Sequence, residues 1–124
     1  MKKMLVLFAA LPVLAAAAPN DDAMQKLAAG AGCRTCHAIE PGAKGPDGLA
    51  PIGPAWRDVA AKYRGQAGAQ DVLTSTVMRG SNPYDSHWKG KVSGLAMPPN
   101  AVAIQEADAK RLVGWILALE PAKK

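Results

Sequence analysis

The sequence predicts an all-α fold of about four helices joined by long loops, and three observations predict it. Apolar residues recur at helical spacing in four separate segments. No run alternates with the two-residue period of a convincing strand. Two connecting segments are dense in glycine and proline, which interrupt regular structure. At 124 residues, with 49% hydrophobic and 20% charged side chains, the chain fits one folded domain with no disordered tail.

The N-terminal stretch MKKMLVLFAALPVLAAAAPN has two lysines, an apolar run from Met4 to Leu14, and then small residues. This is the layout of a secretory signal peptide. A retained membrane anchor is the alternative, but a bilayer-spanning helix needs roughly 20 apolar residues and this run is shorter. Pro19 makes a poor residue after the cut, so cleavage is expected between Ala17 and Ala18. Residues 1–17 are then a leader and 18–124 a single exported domain. The formal charge of +5 falls by two when Lys2 and Lys3 leave. What remains is small and scattered, with no basic run that would track phosphates, which argues against a nucleic-acid partner.

The helices follow in order. DAMQKLAAGA, residues 22–31, has Asp21 or Asp22 as a cap candidate and apolar positions at Met24, Leu27 and Ala28. EPGAKGPDGLAPIGP, residues 40–54, is a loop. AWRDVAAKYRG, residues 55–65, places Trp56, Val59, Ala60 and Tyr63 on one face, with Gly65 as the stop. A third helix covers 70–79 and closes at Gly80, followed by a second long loop over 80–95. The final segment from Ile104 carries an apolar stripe of Ala109, Leu112, Val113, Ile116 and Leu117, acids in its first turn, and Pro121 as its stop. The single phenylalanine, Phe8, belongs to the leader, so the domain's own core is thin. Something other than side chains is expected to fill its middle.

Both cysteines and one of the two histidines are crowded into Gly32-Cys33-Arg34-Thr35-Cys36-His37. Cys-x-x-Cys-His is the attachment sequence of c-type haem: two thiols add to the vinyl groups and the next residue's imidazole becomes an axial ligand. A thioredoxin-like pair would need a βαβ context that is missing. A structural zinc site would need four ligands, and adjacent Cys36 and His37 cannot easily share one tetrahedral ion. A disulfide would close only a tiny loop.

Candidates for a sixth iron ligand are Met97, His87 and Met78. Met78 lies on a helix and reads as packing. His87 sits in a polar loop and reads as solvated. Met97 leads because Pro98 and Pro99 fix the backbone after it, so its loop loses little entropy on binding. His/Met ligation favours ferrous iron and fills both axial positions, which suits outer-sphere electron transfer.

GCRTCHAI, IGPAWRDVAAKYRGQAGA and AMPPNAV, with Trp115 on the last helix, resemble the short, soluble class I cytochromes c of bacterial respiratory chains. The resemblance covers the whole exported domain. It implies the cytochrome c fold, helices and long loops wrapped around one covalently attached haem c. It implies His37 as proximal ligand, its ring bonded to the carbonyl of Pro54, and Met97 as distal ligand with its sulfur steadied by Asn100. It further implies that Trp56, Arg57 and Trp88 lie near the haem propionates. The first and last helices should cross, with Gly32, Leu27, Leu112 and Trp115 near the contact. The segments 40–54 and 80–95 are longer than in the shortest members of the family.

The expected function is a periplasmic, monomeric electron carrier that catalyses nothing alone. Redox partner proteins would dock at the exposed haem edge, near Lys44, Lys89 and Lys91. The alternatives are a subunit permanently bound to an oxidoreductase complex, for example in sulfur-compound oxidation, and a haem sensor with a labile methionine.

Overall fold

The computed structural model describes residues 21–122. The leader expected over 1–17 and its cleavage point lie outside the described residues. The chain forms four helices: α1 (Asp21–Gly30), α2 (Trp56–Tyr63), α3 (Ala69–Arg79) and α4 (Glu106–Ala118). Single 3-10 turns cover Cys33–Thr35 and Pro46–Gly48, and the described residues contain no strand. The architecture is the all-α one that the sequence predicts. The last helix ends earlier than Pro121, because Leu119 already leaves helical geometry at ψ 132°.

Helix α4 is the hub and packs against α3, α2 and α1. Met24 and Ala28 of α1, Trp56 of α2, Ile104, and Leu112, Trp115 and Ile116 of α4 share one buried cluster. Each large member contributes about 1.5–3 kcal/mol through burial. The stripe on α4 is rotated slightly from the expected one: Trp115 is buried and Leu117 is only half-buried. A buried indole needs an acceptor for its N–H. Trp115 Nε1 finds one at 2.8 Å in Asp21 Oδ1. Asp21 is therefore a long-range anchor between α1 and α4.

The first and last helices do meet, and Leu27 packs against their common cluster. Gly32 has a different part from the one expected. It is exposed, has φ +77°, and a Cβ there would touch nothing within 4 Å. Its job is to turn the chain from α1 into the cysteine segment, a conformation that side chains resist.

Candidate functional site

Cys33, Cys36 and His37 sit on one tight turn, in which the amides of Cys36 and His37 both donate to Cys33 O at 3.3 and 3.1 Å. Both sulfurs are half-buried thiols. Burial is the main reason that the Cys33 thiol is pushed up from its ordinary range, and neighbouring Cys36 adds to the shift.

The backbone then grips His37 from both sides. Gly53 N–H donates to Cys36 O at 2.9 Å, Trp56 N–H to Ala38 O at 2.9 Å, and Arg57 N–H to Ile39 O at 3.1 Å. The Pro/Gly segment 40–52 is thus an excursion whose two ends are stapled around the imidazole. The ring's Nδ1 donates to Pro54 O at 2.7 Å, which leaves Nε2 as the nitrogen with a free lone pair. Trp56 stacks on the ring at 6.0 Å and 21°. Gly53 lies so close that a Cβ there would stand 2.7 Å from His37 Cε1. Burial holds the imidazole below the usual histidine range; the Pro54 carbonyl opposes this, and the Arg34 charge adds to it. A neutral imidazole with an oriented, unprotonated Nε2 is the form that ligates iron. The two thiols, the spacing and this histidine fit a c-type haem.

Met97 is held by a reciprocal clamp. Its amide donates to Ser81 Oγ at 2.8 Å, and Ser81 N–H donates to Met97 O at 3.0 Å. Asn100 ties the same segment to α3, its Nδ2 donating to Pro98 O at 2.7 Å and to Val77 O at 3.2 Å. The amide's donors are therefore engaged with backbone carbonyls, which steadies the loop around Met97. The competing ligand candidates are placed elsewhere. Met78 packs against the buried helix cluster. His87 stacks on Tyr63 at 6.0 Å and shares a 3.0 Å hydrogen bond with its hydroxyl through Nδ1.

Arg57 does not stand free. Its Nε donates to Glu40 Oε1 at 2.6 Å and its Nη1 to the carbonyl of Glu120, so it ties loop 40–54 to the C-terminal end of α4. Trp88 is partly buried and flanks a cavity of about 80 Å³ with Pro54, Val92 and Lys91. Lys62 extends over its ring at 6.0 Å. The two long loops are also joined directly, Ser93 N–H to Pro51 O at 2.9 Å and Gly94 N–H to Ile52 O at 3.0 Å. Sequence reasoning missed Ser81, Gly53, Lys62 and the Tyr63–His87 pair. Only Gly53 carried a hint, as the residue directly before Pro54.

An all-α fold with a Cys-x-x-Cys-His turn, an oriented imidazole and a clamped methionine loop defines the class of c-type haem proteins. Comparison with known proteins agrees. The Cytochrome c family model matches residues 22–120, and the chain belongs to that family. A cytochrome c-551 of Allochromatium vinosum is 44% identical over 102 residues, covering 82% of this chain and 92% of that protein. A cytochrome c-552 of Nitrosomonas europaea is 35% identical, with 91% and 92% covered. The crystal structure of the wild-type Nitrosomonas europaea cytochrome c552 matches with a TM-score of 0.60 at 34% identity, covering 77% of this chain and 99% of that one. The protein carries one haem attached through Cys33 and Cys36 and serves as an electron carrier. A permanent enzyme subunit and a ligand-binding sensor are not favoured by these relatives. No helix among the described residues is long and apolar enough to cross a membrane.

Proposed function

We propose that the protein is a periplasmic, monomeric carrier without catalytic activity of its own, with His37 and Met97 as the two axial ligands. When bound, haem c supplies a one-electron ferric/ferrous couple. The observation that carries the ligand assignment is the clamp on Met97: both backbone groups are bonded to Ser81, and two prolines follow. A thioether on so constrained a loop gives up little entropy on binding. The oriented Nε2 of His37 supports the other half of the assignment. Held by both His37 and Met97, the group would offer no open site to a substrate, which would suit outer-sphere electron transfer.

Localisation follows from the leader-like N-terminus. For docking, Lys44, Lys89 and Lys91 are exposed, and exposed Lys62 over Trp88 joins them. A redox partner with an acidic rim fits this edge, and its association should weaken as salt rises. Indifference to ionic strength would remove the lysine rim from the reading. The test of the ligand assignment is the spectrum of the exported protein and of Met97→Ala. The wild type should show the iron–sulfur charge-transfer band of the ferric form, and Met97→Ala should lose it. Retention of that band would overturn the assignment.

A further inference from the structure

We infer that Arg34 is a positioning residue that sets the redox balance of the site, its charge held on Trp56 so that it favours the reduced state. The inference rests on His37 as the proximal ligand. Arg34 occupies the first variable position of the Cys-x-x-Cys-His turn, three residues before that histidine. Its side chain lies over Trp56, with Cζ 5.3 Å from the ring centroid. The same indole is buried and stacks on His37 at 6.0 Å. Guanidinium, indole and imidazole therefore form one chain of contacts, and the charge lies within about 11 Å of the imidazole.

Two features make this charge effective. A cation resting on an aromatic face is held in place, whereas a solvated arginine samples many positions. Among the described residues Arg34 also makes no ion pair, so no carboxylate is bonded to it. Asp21 and Glu40 border the same groove. Glu40 is engaged by Arg57 at 2.6 Å, and Asp21 by the Trp115 indole at 2.8 Å. Reduction brings one electron from a donor protein and removes one unit of positive charge from the ferric centre. A fixed positive neighbour repels the oxidised form more than the reduced one, so it shifts the equilibrium toward the latter.

The test compares wild type, Arg34→Gln and Arg34→Lys as exported, haem-loaded proteins, by spectroelectrochemical titration at low and high salt. Arg34→Gln should lower the equilibrium constant for reduction roughly three- to tenfold, as expected for a partly screened unit charge at this distance. At 59 mV per tenfold for one electron that is about 30–60 mV. Arg34→Lys keeps the charge and should recover most of the shift, and about 1 M salt should shrink it. A shift below about 1.5-fold, an equal shift in both variants, or one unaffected by salt would overturn the inference, because a purely structural arginine would give those results. A wild-type spectrum without a six-coordinate haem would overturn the ligand assignment and the inference with it. A normal spectrum with unchanged potentials would overturn the inference alone.

Discussion

Gly53→Ala probes the proximal side with a single methyl group. The added Cβ would stand 2.7 Å from His37 Cε1, 3.0 Å from Nδ1 and 3.1 Å from Nε2. Carbon contacts settle at about 3.5–4.0 Å, so the ring must withdraw by roughly 1 Å. Gly53 is not among the glycines of positive φ, so the backbone accepts alanine and the conflict falls on the imidazole alone. A shift of that size cannot keep the 2.7 Å bond to Pro54 O in good geometry. Overpacking costs about 1–3 kcal/mol and the lost hydrogen bond about 1, which gives about 2–4 kcal/mol. The assay is guanidinium unfolding of the haem-loaded protein, with the ferric spectrum recorded beside it. Gly30→Ala is the control: it lies within α1 with nothing near its Cβ, and it should be neutral or gain up to about 1 kcal/mol. A Gly53→Ala protein within about 0.5 kcal/mol of wild type, with an unchanged spectrum, would refute the close approach of Gly53 to the ring.

Three further outcomes follow from single contacts. Ser81→Ala removes the acceptor for the Met97 amide; it should cost about 1 kcal/mol and raise the apparent affinity for added cyanide roughly fivefold, read by titration of the ferric protein. Burial raises the Tyr63 phenol above its usual value of 10.0, so the folded protein holds that proton more tightly than the unfolded chain does. That contribution is complete below the unfolded value and is lost as pH rises through the folded one; Tyr63→Phe should flatten this part of an alkaline stability profile. Trp115→Phe keeps an aromatic ring in the cluster but removes part of the buried indole and the 2.8 Å bond to Asp21; urea unfolding should show a loss of about 2–3 kcal/mol.

What the sequence made legible was whatever depends on local spacing. The period of apolar residues located all four helices because α1, α2 and α3 each bury one face against α4. The Cys-x-x-Cys-His turn announced its chemistry because the three side chains must act from one turn. Long-range choices were not legible. Periodicity put Leu117 on the α4 stripe and left Trp115 off it; only the family resemblance placed Trp115 near the contact with α1. What draws the indole inward is an acceptor at Asp21, ninety-four positions earlier, which no local window contains. Gly32 poses the same difficulty: a tight helix crossing and a left-handed turn both demand glycine, and only the backbone path distinguishes them. The ties of Arg57 to loop 40–54 and to the end of α4 are likewise outside any local window.

The structure divides its labour between helices and loops in a way that bears on electron transfer. The buried cluster of α1, α2 and α4 carries the apolar burial, and Trp56 is its contact with the imidazole. The two arms that carry His37 and Met97 are held by backbone hydrogen bonds. His37 lies between the staples at 36–39 and 53–57, and Met97 between Ser81 and the Asn100 tie to α3. The two arms communicate through one short junction, Pro51 and Ile52 against Ser93 and Gly94. Variation within loops 40–54 and 80–95 therefore need not loosen His37 or Met97, because each excursion is closed off by these bonds. Lys44, Lys89 and Lys91 lie on the exposed surface of these loops, where charge can vary while the staples around His37 and the clamp on Met97 stay in place.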